Sequence, residues 1–143
     1  MALLPDTSNT PNGTTIQVST QETYPNKTYK MRIEEERIDG MITDELDAVR
    51  QAVYKILNTE RYRYVIYDWN YGVELDELFG KPIPYVLPEI PRRIREALVQ
   101  DDRISDVINF DLAYTKDGNV TAKFTVVTIY GDLEAEKEVR IRV

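Results

Sequence analysis

The fold of this chain is decided by the stretch INFDLAYTKDGNVTAKFTVVT, residues 108–128. Both halves alternate apolar with polar positions, and the apolar ones are Ile108, Phe110, Leu112, Tyr114, Ala122, Phe124 and Val126. Such alternation is typical of a strand with one buried face. Between the halves stands Asp117-Gly118, and Asp-Gly is the strongest short-range signal of a β-hairpin. The stretch therefore predicts two antiparallel strands joined by a tight turn.

The same alternation continues towards the C-terminus after a second predicted turn at Gly131-Asp132. In residues 133–143 the charged positions Glu134, Glu136 and Glu138 alternate with apolar ones. A third strand therefore completes a three-stranded β-meander with one wet face. The charge on its outer face discourages unwanted pairing at the sheet edge.

Two segments upstream of the meander show helical periodicity. The first predicts a helix from Asp44 to Asn58, with Thr43 as its N-cap. The second predicts a helix from Glu89 to Gln100. Pro91 then lies in the first turn, where its missing N–H costs no intrahelical hydrogen bond.

Residues 28–42 predict a hairpin whose turn contains the acidic run Glu34–Glu36. Together these elements predict an α+β domain over residues 28–143. It has a mainly antiparallel sheet, two principal helices packed on one face, and a C-terminal three-stranded β-meander. Residues 1–27 are rich in Thr, Ser, Asn and Pro and bury too little apolar surface to fold alone, which predicts a flexible N-terminal arm.

Residues 59–72 have the highest density of Tyr and Trp in the chain. Within and after them, Arg63 to Asp68 is predicted as a short buried strand and Val73 to Phe79 as a short helix. Aromatic residues interleaved with Arg can stack nucleic-acid bases, but protein interfaces are enriched in the same residues. The net charge of −7 favours a core or protein-interface role, because affinity for nucleic acid rests on positive charge.

A basic cluster, Arg92-Arg93-Ile94-Arg95, lies between Glu89 and Glu96. It is either a solvated helix face or a site for an acidic partner. Its flanking carboxylates favour the first interpretation.

Two residue types are absent from all 143 positions: cysteine and histidine. Disulfides, thiolate nucleophiles, Cys-based zinc sites and Ser-His-Asp arrangements are therefore excluded. We predict no catalytic, cofactor-binding or metal site. No apolar run approaches the roughly 20 residues that span a bilayer, so no membrane partner is expected. Met1–Asp6 lacks the features of a signal peptide, so we expect the chain to remain in the bacterial cytoplasm until assembly or lysis.

Three features occur in order along the chain. The first is Leu57–Tyr62 followed by Ile66–Leu75, which contains Tyr71-Gly72-Val73-Glu74-Leu75. The second is the helix over Ile90–Leu98, and the third is Gln100-Asp101-Asp102-Arg103-Ile104 leading into the meander. From Thr28 to Val143 this order resembles the sheath-initiator family of contractile phage-tail baseplates, in its branch from PBSX-type phage elements.

The resemblance implies a structural role in a six-fold tail baseplate, with the tail sheath subunit and the baseplate wedge and hub proteins as partners. Sheath initiators accept strands from the first sheath ring. The resemblance implies partner-binding residues at Tyr71, Gly72, Glu74, Asp101, Asp102 and Arg103. In the family's Glu-Pro-Arg motif, Asp101 keeps the acidic charge, Arg103 matches, and Asp102 replaces the proline. Arg103 is either an anchor to a neighbouring subunit or the partner of Asp101, Asp102 or Asp106.

Two other functions are alternatives to the tail role. The first is a protein-interaction adaptor unrelated to phage, which would lack tail genes as neighbours. The second is a cell-wall glycosidase, which needs two carboxylates facing each other across a cleft. Glu60, Asp68, Glu74 and Asp76 are candidates, but acidic residues are common throughout this chain and none stands out.

Overall fold

The computed structural model describes residues 26–142. The predicted N-terminal arm therefore lies outside the described residues, except for its last two positions. The elements in chain order are β1 (Thr28–Arg32), β2 (Arg37–Thr43), α1 (Glu45–Leu57), a 3₁₀ turn (Asp76–Leu78), α2 (Ile83–Leu98), β3 (Ile104–Tyr114), β4 (Asn119–Thr128) and β5 (Gly131–Arg140).

The predicted α+β class is confirmed, with the described strands in two antiparallel sheets. One sheet is the β1–β2 hairpin, whose turn includes Glu34–Glu36 as predicted. The other is the predicted meander, in the order β3-β4-β5. The tight turn before β5 contains Ile129 and Tyr130, two residues before the predicted turn, because Gly131 already pairs with Thr128.

The core lies between the meander and the two helices. The central strand β4 faces it with Val120, Ala122, Phe124 and Val126, all of them buried. α1 packs against β1 and β5, and α2 packs against β3 and α1. The alternation in β4 thus produces a buried face that the helices cover. In β3 it fails at Ile108, because a register shift between Ile108 and Asp111 leaves Ile108 exposed while Val107 is buried.

The start of α1 differs by one residue from the prediction. Thr43 is the last residue of β2 and pairs with Thr28, so it does not act as the N-cap. Asp44 takes that role, and its Oδ1 accepts a hydrogen bond from the Glu45 N–H at 2.8 Å. At the other end, Asn58 caps the helix at the residue predicted to end it.

α2 begins six residues before the predicted start at Glu89, so the prediction that Pro91 lies in the first turn is wrong. The helix contains both Pro88 and Pro91 in its interior. Proline there removes a hydrogen bond to the residue four positions earlier. Burial of Val86 on the same face as Ile90 favours the longer helix despite that loss.

Candidate functional site

Residues 61–72 form a loop, called here the aromatic loop, whose two ends meet. The Arg61 N–H donates to the Val73 carbonyl at 3.1 Å, and the Val73 N–H donates to the Thr59 carbonyl at 3.0 Å. These bonds belong to an isolated parallel bridge between Glu60 and Val73. The ends of the aromatic loop are therefore fixed, although its middle contains no helix or strand.

Gly72 makes this closure possible. Its φ is +98°, which side-chain-bearing residues rarely adopt, and a Cβ here would lie 2.6 Å from the Thr59 carbonyl oxygen. The backbone of residues 59–61 occupies the space that any side chain would need. In the Tyr71-Gly72 pair singled out in the sequence, the glycine thus allows the two ends of the aromatic loop to approach each other closely.

Glu60 holds the segment that follows the aromatic loop. Its carboxylate oxygens accept the backbone N–H groups of Leu75 and Asp76, each at 3.2 Å. Burial raises the pKa of the Glu60 carboxyl, while these two N–H groups act in the opposite direction. The carboxylate therefore holds the start of the 3₁₀ turn.

The aromatic loop exposes large apolar side chains. The exposed fraction is 102% for Val65, 85% for Ile66 and 77% for Trp69. The predicted buried strand from Arg63 to Asp68 is wrong, because the segment pairs with none of the strands in residues 26–142 and Val65 and Ile66 are exposed. The predicted helix at Val73–Phe79 is reduced to the 3₁₀ turn.

The rings of the aromatic loop pack against one another. Tyr67 stacks on Tyr71 with ring centroids 4.5 Å apart, and Tyr62 and Trp69 lie 5.7 Å apart. Offset and tilted ring pairs of this kind are favourable. They give the exposed surface a defined shape without burying it.

Arg103 forms the internal pair that the sequence left as one alternative. Its Nε and Nη2 atoms contact the two carboxylate oxygens of Asp101 at 2.9 and 2.6 Å. The Arg103 N–H also donates to Asp101 Oδ1 at 3.0 Å. Burial raises the pKa of the Asp101 carboxyl, but the Arg103 bonds outweigh burial and the pKa lies below its usual value. Asp102 is exposed beside this pair.

The structure brings two of the predicted segments together. Tyr71, Gly72 and Asp101 line one groove of about 320 Å³, which also borders the base of the aromatic loop. Glu74 lies apart from this groove. Its carboxylate is 3.7 Å from Arg61, and its backbone carbonyl accepts a 2.8 Å hydrogen bond from Arg93.

The basic cluster of α2 is occupied by internal pairs. Arg92 and Arg93 both bind Glu89, and Arg95 binds Asp106 at 2.8 Å. Arg92 and Arg95 are each 59% exposed, as expected of a solvated helix face, whereas the Arg93 side chain is only 10% exposed.

A separate surface lies along the open edge of β5. A groove of about 620 Å³ is bounded by β1, by α1 and by residues 133–138 of β5. A second groove of about 540 Å³ continues along β5 from Lys137 to Arg140. The open edge of β5 thus borders a continuous trough for most of its length.

The backbone groups facing this trough follow from the strand register. The Ile141 N–H donates to the Gly118 carbonyl at 2.8 Å, in register with the β4–β5 pairs. Residues that bond to a given neighbour alternate along an antiparallel strand. The N–H and C=O groups of Glu134, Glu136 and Glu138 therefore point to the open edge.

The two edges of the meander differ in regularity. β5 pairs with β4 over ten consecutive residue pairs without a register shift. β3, at the other edge, has two register shifts, and Asn109 within it has a φ of +56°. Bulges of this kind disfavour pairing with another chain.

The facing edge of β1 is partly occupied by a side chain of α1. Gln51 Oε1 accepts the Met31 N–H, and Gln51 Nε2 donates to the Tyr29 carbonyl, both at 2.8 Å. Of the two edges on the trough, β5 is therefore the regular one, and no side chain of residues 26–142 caps the backbone of its residues 133–138 in this way.

Comparison with known proteins identifies the family. The model of the contractile injection system sheath initiators matches residues 24–131, three-quarters of the chain. This chain belongs to the sheath-initiator family. The match includes the aromatic loop, Asp101–Arg103 and both helices, and it ends at the first residue of β5.

One relative of this sheath initiator is the phage-like element PBSX protein XkdS of Bacillus subtilis strain 168. It is 41% identical over 125 residues, which cover 85% of this chain and 88% of the relative. A solved structure from Geobacter sulfurreducens, described as a candidate tail lysozyme, superposes with a TM-score of 0.59 at 14% identity. It covers 73% of this chain and 98% of its own, and at this identity the likeness shows the fold alone.

The open edge of β5 was not singled out from the sequence of this sheath initiator. One signal was present in the alternation of residues 133–141, where Lys137 occupies a position of the apolar series. A charged residue on the inward face of an edge strand is a recognised device against unwanted pairing at that edge.

Neither α1 nor α2 is long and apolar enough to cross a membrane, and no other α-helix occurs among residues 26–142.

Proposed function

We propose that this sheath initiator is a structural component of a contractile-tail baseplate. In this role it starts sheath assembly by accepting an extended strand from the first sheath ring on the open edge of β5. The observation that carries the proposal is the trough along β5. Three glutamate residues there direct backbone groups, unpaired within residues 26–142, towards a space bounded by β1 and α1.

Strand addition suits this site physically. An added strand gains main-chain hydrogen bonds along the edge, while side-chain pockets on alternate positions provide specificity. Leu133 and Val139 are buried at the two ends of the inner face, so apolar residues of the incoming strand would extend the existing core. A strand beside residues 133–139 is about 20 Å long.

The baseplate contact uses the other surface. The exposed aromatic loop and the Asp101–Arg103 segment border the same groove, and Val65, Ile66 and Trp69 supply apolar area of the kind found at interface centres. We assign this surface to a wedge or hub subunit in a six-fold baseplate. Tyr71, Gly72 and Asp101 shape the groove, while Asp102 and the loop side chains make contact.

The proposed role is structural rather than enzymatic. Two of the four candidate carboxylates of the glycosidase hypothesis have other tasks: Glu60 binds two backbone N–H groups, and Asp76 pairs with Arg63. Glu74 contacts Arg61 at 3.7 Å. The lysozyme name belongs to a structural neighbour whose likeness extends to the fold alone.

The test is binding of the purified chain to the sheath subunit of the same tail, measured by co-elution. Wild type is expected to co-elute. Glu136→Pro removes one N–H from the open edge without removing a β4–β5 hydrogen bond, so binding is expected to be lost with the fold retained.

Tyr114→Pro is the matched control on the opposite edge. The Thr115 N–H bonds to Asn119, so the preceding N–H points away from β4. This variant should still bind the sheath subunit. If Glu136→Pro binds as well as wild type, or if only Tyr114→Pro fails, the assignment to β5 is wrong. Release of reducing sugar from cell wall by wild type would contradict the structural role.

A further inference from the structure

Lys137 occupies an unusual position on β5. It lies on the inner face between Ala135 and Val139, and it pairs across the sheet with Ala122, which is fully buried. The other residues of β5 on this face are apolar. The small side chain of Ala122 leaves room for the aliphatic part of Lys137 to cover the core while the ammonium reaches the surface.

The ammonium has little of its hydrogen-bonding capacity used. Nζ donates to Asn58 Oδ1 at 3.2 Å, at the C-terminal end of α1. None of the ion pairs among residues 26–142 includes Lys137. Burial lowers the pKa of this ammonium, and the more distant carboxylates of Asp76 and Glu60 oppose that effect. The ammonium is half-buried, has no carboxylate partner within the described part of the chain, and donates there to Asn58 alone, although it carries three N–H donors.

Lys137 also lies where the docking strand would pass. It borders both grooves of the trough, at the point where they meet. Because Glu136 and Glu138 carry the outward backbone bonds, an antiparallel strand would face Lys137 in a non-hydrogen-bonded pair. In such pairs the Cα atoms are about 4.5 Å apart and the side chains are close together.

We propose that Lys137 sets the register of the docking strand by pairing with a carboxylate on the inner face of that strand. This inference rests on the proposed function and names the chemistry of the partner: an extended segment of the sheath subunit. Its inward residues are apolar except for one Asp or Glu, which lies opposite Lys137.

The physical need for such a residue comes from the period of a strand. A slip by one residue turns the apolar side chains of the docking strand to the wrong face, so the alternation alone prevents it. A slip of the docking strand by two residues leaves each of its side chains on the same face as before. Leu133, Ala135 and Val139 are all apolar and distinguish poorly between such registers. Lys137 distinguishes them, because a slipped strand leaves its ammonium against an apolar side chain.

The outer face of β5 is less suited to this task. Glu134, Glu136 and Glu138 repeat the same charge at every second position, so a slip by two residues along them meets the same charge again, and the repeat is broken only by Arg140 at the end of the strand. These residues favour basic residues on the outer side of the docking strand without selecting one register.

The experiment measures the affinity of the full chain for the sheath subunit by calorimetry. Lys137→Met keeps the aliphatic stem and removes the ammonium, and it is expected to weaken binding about tenfold. Lys116→Met makes the same substitution in the exposed β3–β4 turn and should leave the affinity unchanged. Thermal unfolding of both variants shows whether the fold is retained.

The second arm is a double-mutant cycle with the sheath subunit. Each acidic residue in its terminal segments is changed to the matching amide. One such change is expected to weaken binding to wild type about tenfold and to have no further effect on Lys137→Met. If Lys137 only bound Asn58 at the end of α1, its substitution would change thermal unfolding but would not produce this coupling.

The outcomes separate the two proposals. If wild type binds, Glu136→Pro does not, and Lys137→Met binds within about twofold of wild type, the register role is overturned and the β5 site stands. Absence of coupling to every acidic residue tested also overturns the register role. If wild type does not bind the sheath subunit, both proposals fail.

Discussion

The aromatic loop and the meander are built from similar residues but use them in opposite ways. Residues 64–67 read Tyr-Val-Ile-Tyr, and residues 124–127 read Phe-Thr-Val-Val. Phe124 is 1% exposed and Val126 is fully buried, whereas Val65 and Ile66 are among the most exposed apolar residues of the described chain. Residue type alone therefore does not decide burial here.

The difference lies in pattern and partners. In β4 the apolar residues recur at every second position, so they share a face that α1 and α2 cover. In residues 64–67 the apolar residues are consecutive, so no single face can bury them. β-propensity describes how well a residue fits a paired and half-buried surface, and the aromatic loop has no pairing strand. Its apolar residues are available for another molecule.

The largest difference in stability between the two regions is expected when one aromatic side chain is removed from each. Phe124→Ala is expected to lower the free energy of unfolding by about 3–5 kcal/mol, because it leaves a cavity under the central strand. Trp69→Ala removes a larger ring from the aromatic loop and is expected to change stability by less than about 0.5 kcal/mol. Urea unfolding followed by circular dichroism measures both. Equal losses would show that the loop ring belongs to the core.

The next largest effect is expected where the aromatic loop closes. Gly72→Ala adds a Cβ against the Thr59 carbonyl at a positive φ, and a loss of about 2 kcal/mol is expected. Gly40→Ala is the matched control, since its Cβ would meet no atom within 4 Å. The fluorescence of Trp69, the only tryptophan of the chain, reports the loop directly. An unchanged stability of Gly72→Ala would contradict the tight closure.

The meander could be predicted from sequence because each of its signals is local. Alternation, the Asp-Gly turn and charged outer positions all indicate the same arrangement, and the structure confirms it. The start of α2 could not be predicted in this way. Pro88 and Pro91 argue locally against a helix, and the burial of Val86 and Ile90 that favours it depends on the rest of the fold.

In the candidate site, too, the parts with a local sequence signal could be predicted and the parts that depend on the rest of the fold could not. The sequence singled out the Tyr71-Gly72 pair and the Asp101–Arg103 segment, but their common groove depends on a loop closure between residues far apart in the chain. The internal pairing of Arg103 was one of the alternatives that the residues left open. The identity of the regular, uncapped edge among residues 26–142 depends on two features: the bulges in β3 and the hydrogen bonds of the Gln51 side chain to β1. Neither feature has a local sequence signal.

A smaller loss of stability is expected at the Arg103–Asp101 pair, which borders both the aromatic loop and the meander. Arg103→Ala removes two hydrogen bonds from a largely buried Asp101 carboxylate, so a loss of about 1–2 kcal/mol is expected. Asp101→Asn should raise the stability of the Arg103→Ala background, because it removes the unpaired charge. Thermal unfolding of the four proteins measures the coupling. Unchanged melting of Arg103→Ala, together with failed tail assembly, would instead favour Arg103 as an anchor to a neighbour.

The smallest effect concerns how acid acts on the two regions. Hydrogen bonds from Arg92 and Arg93 lower the pKa of the Glu89 carboxyl to about 2, well below the usual value for a glutamate. Arg93 in turn donates to the Glu74 carbonyl, just after the aromatic loop. A depressed folded-state pKa means that the stabilisation is fully present above about pH 4.5 and is lost as the pH falls towards 2.

Within that window the loop base is expected to loosen before the meander, because Glu89 acts through Arg93 on the Glu74 carbonyl, whereas the meander is held mainly by its buried apolar face. Trp69 fluorescence is therefore expected to change at a higher pH than the circular dichroism of the sheet. Glu89→Gln removes the titrating group and should make the fluorescence change less steep between pH 4.5 and 2. Other carboxylates titrate in both proteins, so the difference between the two curves isolates Glu89. Identical curves would mean that Glu89 does not hold the aromatic loop through Arg93.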